Sequence, residues 1–150
     1  MEPCIELNLT RALSEIHRVV KAVEEFSDLH QLPVRSCHSL ILALDELLTN
    51  TISYTDDSVA LQIKLRIELH GQRLMAVIED NGPEFNPLND TSEPDLEAFL
   101  DDRAIGGLGV HLVKTLMSEV HYQRLHLDSG ERNQVTLVLN VLPLAVGETP

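Results

Sequence analysis

The sequence predicts an α+β fold: a two-layer sandwich with helices on one face of a mixed, mainly antiparallel sheet. Three observations carry this. Val59, Leu61, Ile63, Leu65, Ile67 and Leu69 alternate without a fault, as a half-buried strand requires. Two stretches, from about Arg11 to His30 and from Pro33 to Tyr54, repeat their apolar residues at helical spacing instead. Finally, the order strand, helix, helix, strand, strand, loop, helix, strand, strand joins most strands through short turns, so they pair as hairpins.

Each element has its own justification. Residues 4–10 alternate and read as a short edge strand. Leu13, Ile16, Val19, Val20, Val23 and Phe26 form the apolar stripe of the first helix. Pro33 stands where a second helix can start, because its missing N–H costs nothing in a first turn. Asp56 and Asp57 mark the turn after that helix, and His70-Gly71-Gln72 is a tight turn between two strands. The second of these, at 73–79, is apolar on successive residues and reads as central and buried on both faces. Residues 80–107 break the pattern with Gly82, Pro83, Pro87 and Pro94 in an acidic loop, with a short helix at 95–101. A loop of that length in a compact domain calls for a functional explanation or disorder. A third helix follows from Gly106, then strands at 119–128 and 133–142, and a loose tail at 146–150. No internal repeat is present, and residues 1–150 read as one domain.

Composition removes several function classes. The net charge of −13 argues against nucleic-acid partners, which need a basic footprint, and against anionic membrane surfaces. Cys4 and Cys37 have no metal-ligand or redox spacing and read as reduced thiols. The seven histidines include no zinc motif; His121 and His126 fall on opposite faces of a strand. The N-terminus lacks the basic-then-apolar pattern of a signal peptide, and no apolar run reaches membrane-spanning length. The expectation is a soluble, cytoplasmic protein.

Three segments could carry chemistry. In the second helix, Glu46 and Asn50 lie about 40° apart on one face with Ser39 and Ala43. Cys37, Leu40, Ile41, Leu44, Leu47, Leu48 and Ile52 gather on the other. Alone, this is an ordinary amphipathic helix with a solvated polar face. The second segment, Val77 to Pro87, ends a buried strand on Asp80 and continues Asn81-Gly82-Pro83-Glu84-Phe85-Asn86. That reads either as a plain turn or as a carboxylate offered to an amino group, with Gly82 admitting a ligand to the backbone. The third is Gly106-Gly107-Leu108-Gly109 opening a helix, where free N–H groups and the helix dipole favour an anion. It matches neither the P-loop nor the dinucleotide fingerprint. Of the basic residues close to it, Arg103 in the long loop is a better anion partner than Lys114.

In this order and these contexts, the three segments together resemble the ATP-binding module shared by gyrase-type topoisomerases, heat-shock chaperone ATPases and histidine kinases, the Bergerat-type ATP-binding fold. Within it, the chain is most similar to the stand-alone anti-sigma-factor serine/threonine protein kinases of bacteria, over roughly residues 9–142. The resemblance is strongest in Asp80 to Pro87 and Gly106 to Met117, with residues 133–137 closing it. It implies ATP and Mg²⁺ as cofactors, Asn50 as the Mg²⁺ ligand and Glu46 as general base. It also implies Asp80 as the acceptor of the adenine amino group, with Gly82 beside the ring and Phe85 in the same ATP-binding phrase. Gly106, Gly107, Leu108 and Gly109 would wrap the phosphates with Arg103, under a lid at about 84–105. Thr136 would support the adenine end. Tyr54 stands where relatives often carry histidine, and Asn86 where aspartate is common. Both departures leave the proposed chemistry untouched and loosen the assignment to a subfamily.

Two readings from different classes follow. The first is a kinase that phosphorylates a serine or threonine of an anti-sigma-factor antagonist and binds a sigma factor as a second partner. The second is a non-catalytic ATP-binding module that sequesters a partner. Retention of Glu46 favours the first, since binding alone needs no base. The chain shows no dimerising domain with a phosphoacceptor histidine, which argues against a complete histidine kinase. Relatives often form homodimers, and no stretch of this sequence shows that independently.

Overall fold

The computed structural model describes residues 2–88 and 105–141, with side chains described from Gly109 onward in the third helix. Five strands, β1 (Cys4–Leu9), β2 (Ile63–His70), β3 (Arg73–Asp80), β4 (Glu119–Leu127) and β5 (Gly130–Asn140), form one sheet in the order β1-β2-β3-β5-β4. Every pairing between them is antiparallel. Three helices, α1 (Glu15–Leu29), α2 (Val34–Tyr54) and α3 (Ile105–Leu116), complete the α+β fold.

Strand parity decides where the core lies. Ile63, Leu65 and Ile67 of β2, Leu74, Ala76 and Ile78 of β3, and Val135 and Leu137 of β5 are buried on one face. They pack with Val19, Val23 and Phe26 of α1, Leu40, Leu44, Leu47 and Leu48 of α2, and Val110 and Val113 of α3 in one apolar cluster. The helices therefore cover a single face of the sheet. The same parity puts Asp80 and Asn133 on the core-facing rows of β3 and β5, where they are buried and paired across the ladder. The β2–β3 hairpin turns through Gly71, whose φ of 61° suits a residue without a Cβ.

β5 starts at Gly130 rather than residue 133; two other boundaries also differ from the sequence reading, and one interaction explains much of both. The first helix begins at Glu15, not Arg11, and β2 begins at Ile63, not Val59. Arg11 instead reaches the C-terminal end of α2, which has no basic residue in its last turn. Its guanidinium donates to the carbonyls of Ile52 at 3.4 Å, Thr55 at 2.8 Å, Asp56 at 2.7 Å and Val59 at 2.9 Å. The last carbonyls of a helix lack intrahelical partners, and a cation there also meets the negative end of the dipole. Residues 60–62 are held by Asn81: its side chain donates to the Ala60 carbonyl and accepts from Gln62 N–H, while its own N–H bonds the Gln62 carbonyl. With these backbone groups engaged, regular pairing starts one residue later.

The short helix expected at 95–101 and the tail at 146–150 lie outside the described residues. Among the described residues, no helix is long and apolar enough to cross a membrane, and none forms a group of three or more His, Cys, Asp or Glu that could hold a metal ion.

Arg11→Ala should leave the α2 carbonyls uncapped and lower unfolding stability by about 2 kcal/mol in urea titration, judged from charge-assisted hydrogen bonds of this kind. Asp57→Ala, whose carboxylate lies 3.5 Å from Arg11 but is fully exposed, should leave the midpoint unchanged.

Candidate functional site

The site has two halves. The first is the contact of α2 with α3. Glu46 and Asn50 share a face of α2 and are both half-buried, while Ala43, expected beside them on an open wall, is fully buried in the core. α3 meets this face at Gly109: a Cβ placed there would overlap the Glu46 carboxyl. A side chain at 109 would therefore have to displace the Glu46 carboxyl. Burial pushes the Glu46 carboxyl above its ordinary range and the Asp45 charge adds to this, while a side-chain hydrogen bond with Asn50 works the other way. Gly106, Gly107 and Leu108 fall in the first turn of α3, inside the helix rather than ahead of it. The backbone N–H groups of that turn have no intrahelical acceptor. At about 1.5 Å rise per residue, they begin within about 5 Å of Gly109 and the Glu46 carboxyl it faces.

The second half is built at the end of β3. Asp80 is buried because it continues the core-facing row of Leu74, Ala76 and Ile78. Its Oδ1 accepts from the Gly82 N–H at 2.9 Å and from Asn133 Nδ2 at 3.0 Å. Neither bond uses Oδ2. Burial raises the Asp80 carboxyl above the usual carboxylate range, opposed by these two bonds and by the charges of Arg124 and Arg132. Asn133 also donates to the Pro83 carbonyl at 2.8 Å. Its Oδ1 accepts from Phe85 N–H at 3.2 Å, Tyr122 Oη at 2.7 Å and Arg124 Nη1 at 3.0 Å. The same Arg124 nitrogen bonds the Gly82 carbonyl at 2.9 Å. The loop from Asn81 to Phe85 is therefore fastened to the β4–β5 hairpin.

The end of α2 joins the two halves. A Cβ at Gly82 would stand 2.9 Å from Asp80 Oδ1 and 3.3 Å from Thr55 Oγ1, so the loop passes α2 only as glycine. Tyr54 lies against Phe85 with ring centroids 5.2 Å apart. Tyr54 is one turn from Asn50, which brings the polar face of α2 to the loop that follows Asp80. Asn86 Oδ1 accepts from Leu88 N–H at 2.9 Å, a turn contact that an aspartate would make equally well.

The structure thus brings together Glu46, Asn50 and Gly109, and separately Asp80, Gly82 and Phe85, with α2 between them. Thr136 requires correction. It pairs with Val77, three positions along the ladder from Asp80, and has the opposite parity, so it lies on the face away from the helices. Asn133 occupies the position opposite Asp80. Arg103 and most of the 84–105 segment lie outside the described residues. Lys114, the other basic residue near the glycines, donates to the Leu88 carbonyl at 2.9 Å. Sequence reasoning missed Asn133, Tyr122 and Arg124, and it set aside Tyr54. One signal was available: Asn133 shares parity with the apolar Val135 and Leu137, which marks a polar residue directed into the core.

Residues 9–139 match the family described as histidine kinase-like ATPase domain. Similar curated proteins include serine-protein kinase RsbW of Bacillus licheniformis, 33% identical over 106 residues, and that of Bacillus velezensis, 31% identical over 108. Each match covers 67% of this chain and 64% of the relative's length. The fold is similar to the crystal structure of RsbU and RsbW domains from Mycobacterium tuberculosis, with a TM-score of 0.63 and 15% identity. That likeness covers 93% of this chain and 32% of the other, and it speaks for the fold alone. The matched span runs from the end of β1 into β5 and contains both halves of the site. This chain belongs to the histidine kinase-like ATPase domain family.

Proposed function

We propose that this chain is an ATP-dependent serine/threonine protein kinase of a bacterial partner-switching pathway, acting in the cytoplasm on an anti-sigma-factor antagonist and binding a sigma factor in turn. The observation that carries the reading is the contact of the Glu46 carboxyl with Gly109, next to the first turn of α3. It sets a proton acceptor beside backbone donors suited to phosphate. The names of the similar Bacillus proteins support the choice of substrate class.

The residues present fit ATP and Mg²⁺. Asp80 Oδ2 remains for a base amino group, and Gly82 lets the loop close on Asp80 and Thr55. The N–H groups of Gly106, Gly107, Leu108 and Gly109 would hold the phosphates, with Arg103 assigned to the same role and residues 84–105 to the lid. Asn50 would give Mg²⁺ one neutral oxygen, which suits an ion that keeps most of its water and phosphate ligands. Bound there, Mg²⁺ would neutralise phosphate charge.

Glu46 would orient the substrate hydroxyl and accept its proton. Its burial helps, because a carboxyl held above its ordinary pKa is a stronger proton acceptor in its ionised form. Asn50 keeps that carboxylate pointed along the shared helix face. Binding alone needs Asn50, Asp80 and the glycines; transfer additionally needs Glu46. A non-catalytic, ATP-holding sequestration module is therefore the outcome in which ATP binds tightly and no phosphate moves.

Transfer of radiolabelled phosphate from ATP to serine or threonine of candidate antagonist proteins tests the reading. Glu46→Gln should bind ATP within about threefold of the wild-type chain and lose at least about 100-fold in transfer rate. Equal transfer in the two would remove the base. Asp80→Asn should lose about tenfold or more in ATP affinity by calorimetry. It should also melt no lower than wild type. A carboxyl raised on folding favours the fold only below its unfolded pKa, and that contribution is lost as pH rises through the folded value. At pH 7 the ionised Asp80 therefore opposes stability, and the difference between wild type and Asp80→Asn should shrink as pH falls towards 4.

A further inference from the structure

We propose that Asn133, held by Arg124 and Tyr122, fixes Asp80 as a pure hydrogen-bond acceptor and so makes the site select a purine with an amine at C6, adenine, over one with a carbonyl there, such as guanine or hypoxanthine. This rests on the nucleotide reading above and adds to it the positioning residues that set base choice.

The geometry allows Asn133 one orientation. Both Nδ2 hydrogens are used, on Asp80 Oδ1 and the Pro83 carbonyl. Three donors converge on its Oδ1: Phe85 N–H, Tyr122 Oη and Arg124 Nη1. A flipped amide would set its oxygen against two acceptors and its nitrogen against three donors, at 4% exposure. Arg124 is itself placed by the Gly82 carbonyl and by Glu131 Oε2 at 3.1 Å. Burial lifts the Tyr122 phenol above its ordinary pKa, with Glu84 adding to the effect, so it remains a neutral donor.

The consequence falls on Asp80. Burial raises its pKa, while the N–H groups of Asn133 and Gly82 on Oδ1 favour the ionised form, in which Oδ2 is presented as a carboxylate oxygen. The charges that act on it belong to Arg124 of β4 and Arg132 of β5, both favouring the ionised form. Glu84 of the loop faces the same network through Tyr122. An ionised oxygen pairs with an amine and repels a carbonyl. A protonated one could donate to a carbonyl, and the discrimination would fall. The first half of the site has no part in this choice, because Glu46 and Asn50 stand at the α3 contact and not on the Asp80 network.

Binding of ATP and of inosine triphosphate, whose amine is replaced by a carbonyl, tests this by calorimetry on the full 150-residue chain between pH 6 and 9. Wild type should prefer ATP at every pH. In Asn133→Asp two carboxylates share one site and cannot both ionise, so one carries a proton. The ATP preference should then fall by about tenfold, and ATP affinity should drop as pH rises, a dependence that mere loosening of the loop would not give. Arg124→Gln, which keeps Asn133 but withdraws the cation, should lose about threefold in the same ratio. An unchanged ratio and a flat pH profile in folded Asn133→Asp would overturn the proposal. Should that variant fail to fold by circular dichroism, an unchanged ratio in Arg124→Gln would overturn it. A wild-type chain that binds neither nucleotide would instead overturn the nucleotide reading beneath it.

Discussion

A carboxylate placed on the core-facing row of a central strand is the constraint around which this end of the molecule is organised. Asp80 sits where the alternation of β3 calls for another apolar side chain. An unpaired charge there would be prohibitive, so donors must be brought to it. One comes from the loop that follows, through the Gly82 N–H, and one from across the ladder, through Asn133. Each donor imposes a demand on the next layer. Gly82 must be glycine because Asp80 and Thr55 leave no space for a Cβ. Asn133 must find donors for its own oxygen, which draws in Tyr122 and Arg124 of β4. Arg124 then reaches back to the Gly82 carbonyl and closes the circuit.

The α2–α3 contact obeys a different logic. There a polar side chain is placed in the path of a helix, and the helix yields by being glycine at that point. A glycine inside a helix costs roughly 0.5–1 kcal/mol relative to alanine, and α3 has three in its first five residues. At Gly109 the cost is met by the close approach of the Glu46 carboxyl. It makes sense as access to the backbone at the beginning of the helix, next to the Glu46 carboxyl.

Much of this was legible in the sequence, for physical reasons that also mark where legibility ended. The alternation in 63–69 and the helical stripes of α1 and α2 are burial patterns, and burial held in all three except at Leu13, which precedes α1 and is 59% exposed. The boundaries at Arg11 and Val59 were misplaced because one long side chain and one amide removed those residues from regular pairing, which periodicity does not register. Glu46, Asn50, Asp80 and the glycines stood out by spacing within single elements. Asn133 was marked only by its shared parity with Val135 and Leu137; its partner depends on the register of β5 against β3, a long-range pairing that no local pattern encodes. Thr136 was selected by residue type, and strand parity placed it on the wrong face.

Arg11 lies two residues beyond the last residue of β1, an edge strand whose core-facing residues are Ile5, Leu7 and Leu9. Alternation has a period of two, so a slip of two residues along β2 would bury the same kind of surface and cost the apolar layer little. It would, however, carry Arg11 away by about 6.5 Å and release every α2 carbonyl it holds. The register of β1 is thus proofread at a distance, by a side chain outside the strand reading the end of a helix. The N-terminal edge is thereby coupled to the helix turn that presents Tyr54 and Thr55 to the Asp80 loop.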